Sequence, residues 1–255
     1  MTQNNYPKFV LWKTDVKNVQ NAYELFGKKT AKRIEKSIEK ILESDYEIRF
    51  EDVDESFIDA FLPIYTDSIT QKKGKLYNVK EKIKKFQDEG VVYRSISLYK
   101  ENILKGAMIY TIREKNLGIS YNIFPNEISV KLPIKNITFV ADYHIYQDAI
   151  DRKKEFVSHG KDRNLYGIPT HSSIGVANHK LRAASLPHVS NSMKNEILNL
   201  DELSIDEDTL IFSGDEKGAS IKKALLVSKT SEEEMRKRYS ILFENENFNL
   251  EFKKI

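Results

Sequence analysis

The chain has 255 residues, 31% of them charged and 11% aromatic, with a net charge of +3 at pH 7. That length suits one large domain or two small ones, and it can bury a core without a metal or disulfide staple. The absence of cysteine excludes disulfides, thiolate-bound metals, iron–sulfur clusters and a thiol nucleophile. Ten glycines, six prolines and no fixed repeat exclude collagen and solenoid arrays.

The first residues lack the basic-then-apolar build of a signal peptide. No run approaches the roughly 18 apolar residues of a membrane-spanning helix. These features lead to the expectation of a cytoplasmic protein with no membrane insertion. Charge is unevenly spread. Between Arg152 and Arg182 lie seven basic residues (Arg152, Lys153, Lys154, Lys161, Arg163, Lys180, Arg182) against Glu155 and Asp162, and all five histidines fall between His144 and His188.

Residues 9–12 form a short apolar run of strand type. From Asn18 to Glu43 apolar residues recur at three- and four-residue steps, which predicts a helix that Gly27 breaks or kinks. Tyr46 to Phe50 alternates as a strand. Asp54 caps a helix through Tyr65 that Pro63 weakens. Lys72 to Lys75 reads as a turn or mobile loop. Asn78 caps a second helix, Val79 to Asp88, which ends at Gly90.

The β signal is clearest next: strands Val92–Tyr99 and Ile103–Ile112 about a turn at Lys100-Glu101-Asn102, then a third strand Leu117–Phe124. Ile137 to Val140 is an apolar run of strand length. Tyr143 to Ser158 reads as a helix stopped by Gly160, and Lys161 to Ser173 as a polar loop. Ile174 to Ala184 is helical. Thr209–Ser213 and Lys223–Ser228 are strands, and Ser231 opens a helix with a Ser-x-x-Glu capping box. The C-terminal Phe248–Phe252 stretch either covers the sheet or joins a neighbour by strand addition.

Over residues 46–190 this order resembles the GNAT acyltransferases, and within them the FemAB-like branch. The resemblance is carried by Ala149-Ile150 through Gly160, by the basic Lys161-Asp162-Arg163-Asn164-Leu165-Tyr166-Gly167 stretch, and by the Lys180-bearing helix. The hairpin ending at Gly106 is similar to the GNAT pattern as well. The implied fold is an α+β mixed, mostly antiparallel sheet with helices on both faces. The implied organisation is an N-terminal helical extension (1–45), a GNAT-like core (46–200) and C-terminal strands and helix packed on it (201–255).

The resemblance implies N-acyl transfer from an activated donor, acyl-CoA (acetyl-CoA or longer) or aminoacyl-tRNA, to a small-molecule or peptide amine. A homodimer is also allowed. GNAT enzymes usually carry a Gly-bearing phosphate signature between the central strand and the next helix. Asp142 to Asp148, read as that junction, has no glycine, so acyl-CoA and a tRNA-linked donor both stay open.

Acyl transfer needs an amine freed of its proton, an oxyanion stabilised and a leaving group protonated. Asp142 and His144 are candidate bases, although Asp142 also suits a helix cap and His144 a surface position. Tyr166 is the candidate acid, with loop anchoring as its plainer role. The main chain at Val140, together with Lys161, Arg163, Asn164, Lys180 and Arg182, is the candidate donor-binding set. A solvated basic surface is the alternative. His159, His171 and His179 lack zinc-site spacing, so no metal is expected. No serine elbow, P-loop or dinucleotide fingerprint occurs. Two other readings compete: a non-catalytic module holding an anionic metabolite or RNA, and a degenerate copy of the fold acting as a partner subunit.

Overall fold

The computed structural model describes residues 4–72, 74–125, 128, 137–168, 172–190, 195–198, 208–214 and 216–255. Its strands are β1 (Asn4–Pro7), β2 (Phe9–Asp15), β3 (Tyr46–Asp52), β4 (Val92–Lys100), β5 (Ile103–Ile112), β6 (Asn116–Ile123), β7 (Phe156–Arg163), β8 (Leu186–Val189), β9 (Asn195–Leu198), β10 (Thr209–Ser213), β11 (Lys223–Ser228) and β12 (Asn249–Lys254). The α-helices are α1 (Lys28–Leu42), α2 (Glu55–Gln71), α3 (Val79–Asp88), α4 (Ile137–Asp151), α5 (Ile174–Arg182), α6 (Glu232–Arg238) and α7 (Ser240–Phe243). A 3₁₀ turn at Ala22–Leu25 precedes α1.

A mixed, mostly antiparallel sheet of seven strands runs in the order β3-β4-β5-β6-β7-β2-β8. The chain divides into two compact units, Asp15–Ser158 and Met1–Thr14 with His159–Ile255. Each has its own core.

In the unit Asp15–Ser158 the sheet is covered on both faces. One face of β4 and β5 turns Ile96, Met108 and Tyr110 toward Ile34 of α1 and Ile145 and Tyr146 of α4. The other turns Tyr93, Ala107 and Ile109 toward Phe57, Phe61 and Tyr65 of α2 and Ile83 of α3. The period of two along the strands thus sorts neighbouring residues into two cores. Glu101 and Asn102 both take positive φ, the geometry of a tight hairpin turn. Asp54 and Asn78 cap α2 and α3 by accepting from Phe57 N and Glu81 N.

In the other unit, β10 and β11 pair antiparallel and β12 joins β11 in parallel. Trp12, Tyr166, Phe212 and Phe248 meet edge to face at its centre, with centroids 5.5–6.3 Å apart.

Four expectations are corrected. Ile137–Val140 is the first turn of α4, not a strand. Its buried residues, Ile137, Val140, Ala141, Ile145 and Ala149, follow a helical period, which the β-branched run disguises. The expected helix to Ser158 ends at Asp151, and β7 begins at Phe156. Gly160 does not stop a helix; it lies inside β7 at φ 80°, so Lys161 and Arg163 belong to a strand rather than a loop. The N-terminal helix is also divided: Gly27 sits at the N-cap of α1, and residues 18–21 are not helical.

Candidate functional site

Within the unit Asp15–Ser158 the most distinctive backbone lies in β6. Its parallel ladder with β7 has three pairs, Asn116↔Phe156, Leu117↔Val157 and Gly118↔Ser158, while β6 itself continues to Ile123. On its other side Tyr110 pairs with Ile119, but Ile109 pairs with Tyr121, so Ser120 is an extra residue. A bulge of this kind bends the strand and re-aims its side chains, and bulges concentrate beside active sites. Here it falls two residues beyond the end of the parallel ladder.

The side chains around the bulge are polar. The Ser120 side chain lies beside the Tyr93 hydroxyl. Tyr121 packs edge to face on Tyr65 (5.9 Å) and Phe61 (6.2 Å), and the Lys82 ammonium stands 5.8 Å from its ring centre. Burial pushes the Tyr121 hydroxyl up to about 12. That hydroxyl and Asn122 Oδ1 are both buried and unbonded among the described residues. Buried polar atoms nearly always find partners, so each of the two is a candidate contact point, one on either face of the sheet: Tyr121 stands opposite Ile109 and Asn122 opposite Met108. Sequence reasoning missed these residues. Nothing in the sequence of β6, Asn-Leu-Gly-Ile-Ser-Tyr-Asn-Ile, sets them apart.

The anticipated residues on α4 lie elsewhere in this unit. Val140 packs in an apolar cluster with Ile41, Tyr46 and Leu98. Asp142 is 1% exposed, and burial raises its carboxyl well above the usual range. His144 meets the ring of Phe50 edge to face at 5.2 Å. Phe50 belongs to β3, which β4 and β5 separate from β6, so the strand His144 meets is not the one that carries the bulge. Asp142–Asp148 lies inside α4 and not at a strand–helix junction; between β6 and α4 come residues 124–136, of which 126–127 and 129–136 lie outside the described residues. That stretch also lacks glycine.

The other anticipated residues lie in the unit of Met1–Thr14 and His159–Ile255. Tyr166 is completely buried. Its hydroxyl accepts a bond from Trp12 Nε1 (2.8 Å) and donates to Asp162 Oδ2 (3.2 Å). Lys180 Nζ donates to the same carboxylate oxygen (2.7 Å) and to the His159 carbonyl (3.1 Å). Burial raises the Tyr166 hydroxyl well above its usual range, with the Asp162 charge adding to it. Burial also lowers the Lys180 ammonium, against the pull of Asp162.

The structure therefore joins Tyr166 and Lys180 through Asp162, which the sequence presented only as one acid in a basic stretch. Asn164, also buried, spends its carboxamide on the main chain: it donates to the Pro7 and Phe212 carbonyls and accepts from Phe212 N. Lys161, Arg163 and Arg182 are exposed. A cavity of about 420 Å³ in this unit is lined by Gly167, Ser173, Asp208, Lys229 and Arg238, among others, with Arg238 paired to Asp208 at 3.0 Å. Among the described residues no His/Asp/Glu cluster is arranged to hold a metal, and no described helix is long and apolar enough to cross a membrane.

Three histidines are held neutral. Burial is the largest cause for each, taking His144 to about 4, His159 to about 3 and His179 to about 4 from 6.5. Below pH 6.5 the unfolded chain binds more protons, so stability falls as pH drops toward 4. The raised carboxyl of Asp142 works in the opposite sense. The three histidines outweigh the one carboxyl, so a net loss of stability is expected by pH 4.5. A melting temperature that stays level from pH 7.5 to 4.5 would contradict this.

Neither a protein-family model nor a curated protein matches the sequence. Among solved structures, FemX aligns over 79% of this chain and 64% of its own, with a TM-score of 0.56 at 10% identity. A conserved protein of unknown function from Bacteroides thetaiotaomicron aligns over 71% and 57%, with a TM-score of 0.44 at 10% identity. The chain thus spans less than two thirds of each structure it matches here. The likeness to FemX establishes the fold class: a FemX-like, GNAT-type α+β fold, as the order of elements led one to expect.

Proposed function

We propose that the chain is an N-acyltransferase that moves an acyl group from an activated donor, aminoacyl-tRNA or acyl-CoA, to an amine. The observation that carries this reading is the course of β6: a three-pair parallel ladder ending at Gly118, with a bulge at Ser120 just beyond, in a GNAT-type sheet. A strand edge past the end of its ladder offers N–H and C=O groups to an extended, amide-bearing donor, as in strand addition.

In the reaction the amine nitrogen attacks the acyl carbonyl carbon. The tetrahedral oxyanion collapses, and the ester oxygen or thiolate leaves with the proton the amine gives up. The main chain of Ile119–Ile123 binds the donor and supplies N–H groups to the oxyanion. Asn122 Oδ1, a buried acceptor on the face it shares with Met108, takes a hydrogen bond from the incoming amine. Tyr166, closed within its own hydrogen bonds to Trp12 and Asp162, serves to hold its unit together.

The test offers isotopically labelled acetyl-CoA and aminoacyl-tRNA with a panel of primary amines. Label is expected in an amide product from at least one donor. Asn122→Ala is expected to lower kcat/KM at least tenfold with little change in melting temperature. If donor binds and no product forms, the non-catalytic reading replaces this one; if neither donor binds nor reacts, both fall.

A further inference from the structure

The basic stretch most conspicuous in the sequence, Arg152–Arg182, is largely committed within the fold. Arg152 is paired with Asp148, Lys154 donates to the Glu114 carbonyl, and Lys180 is paired with Asp162. The basic residues of α6 are likewise matched: Arg236 with Glu232, Lys237 with Glu233, Arg238 with Asp208. The segment from the end of α2 through α3 differs. Residues 72–85 contain seven lysines and one acid, Glu81. Lys80 is tied to Glu55 and Asp59. Lys72, Lys75, Lys82, Lys84 and Lys85 are exposed and have no ion-pair partner among the described residues.

An aromatic side chain stands among these charges. Tyr77 is 59% exposed, and Lys75 Nζ lies 5.5 Å from its ring centre. Tyr77 N donates to the Tyr65 hydroxyl, Tyr65 packs on Tyr121, and Lys82 stands over Tyr121. Lys75 and Lys82 therefore stand over two tyrosine rings, Tyr77 and Tyr121, that the buried Tyr65 links. Of the apolar side chains of α3, Val79 and Ile83 are fully buried and Phe86 packs partly buried against the same core, which leaves the helix no free apolar face to sink into a lipid surface. Exposed lysines around an exposed ring suit a polyanion whose bases stack.

We infer that the surface of Lys72, Lys75, Tyr77, Lys82, Lys84 and Lys85 binds RNA, with the lysines on phosphates and Tyr77 stacking on a base. The inference deepens the acyl-transfer reading by giving a tRNA-linked donor a place to dock. Binding is read without turnover, so the two readings fail separately.

The test measures anisotropy of a labelled, deacylated transfer RNA titrated with the full chain at several salt concentrations. Changing Lys82, Lys84 and Lys85 together to alanine is expected to weaken binding at least tenfold and to reduce the slope of log K against log salt by about 2 to 3. Tyr77→Ala is expected to weaken binding at least fivefold with the slope unchanged. All four side chains are exposed, so melting temperatures should match that of the parent chain. RNA binding that these variants leave intact overturns the inference. So does the absence of RNA binding, or lysine-dependent binding to phosphatidylglycerol vesicles in its place. RNA binding through these residues without acyl transfer would leave this inference standing and remove the proposed activity.

Discussion

Replacing Asn164 by alanine is expected to destabilise its unit by about 3–5 kcal/mol. The Asn164 side chain holds three main-chain groups at once, the carbonyls of Pro7 and Phe212 and the N–H of Phe212, at 2.7–2.8 Å. Only 2% of the residue is exposed, so water does not readily take over those bonds. Each buried group left unpaired costs about 1–3 kcal/mol. Aspartate is no substitute, because its carboxylate would face two carbonyl oxygens. Urea unfolding followed by the single tryptophan, Trp12 of the same unit, measures the effect. The midpoint should fall at unchanged slope. A loss below about 1 kcal/mol would show that water satisfies these groups after all.

The second large effect is expected at Asp162. Its carboxylate accepts from both Lys180 and Tyr166, and the Lys180 and Asp162 side chains are 12% and 13% exposed. Asp162→Ala strands a buried ammonium and a buried hydroxyl, at a cost of about 3–5 kcal/mol. Lys180→Met should also be costly, about 2–4 kcal/mol, because it leaves the Asp162 carboxylate buried with the Tyr166 hydroxyl as its remaining side-chain donor. The double variant should then be more stable than Asp162→Ala alone, and the difference measures the coupling.

The pH dependence has a defined sign. Burial lowers Lys180 below its usual 10.5, and removing Asp162 lowers it further. The folded variant therefore sheds a proton that the unfolded chain keeps, so Asp162→Ala should regain stability as pH rises toward 10.5. Costs that simply add would contradict the shared carboxylate.

Elements whose signals are local read directly from the sequence. The helix Val79–Asp88 with its Asn78 cap and the strands Thr209–Ser213 and Lys223–Ser228 have the bounds their residues indicate. Ile137-Thr-Phe-Val140 misled because β-branched and aromatic residues favour strands, while the period that makes it helical emerges only over the next nine residues. β7 was hidden by its polar sequence and by Gly160, a residue that halts helices and also permits a positive φ inside a strand. The place of β2 in the sheet could not be read at all, since its β8 partners, among them His188 opposite Leu11, are far away in the chain.

The candidate site was less legible for the same reason. A bulge is a property of two strands in register, so Ser120 carries no local mark. Asp162 gained its meaning only when α5 brought Lys180 to it.

Hydrogen–deuterium exchange of the full chain, with and without acyl donor, addresses the account at its centre. Acetyl-CoA and a non-hydrolysable aminoacyl-tRNA analogue are the two ligands. A donor lying along β6 should slow exchange in peptides covering Ile119–Ile123, while peptides from the fully paired β4 keep their rates. If either donor binds yet leaves those peptides unprotected, the donor sits elsewhere, and the proposed use of the β6 edge is wrong.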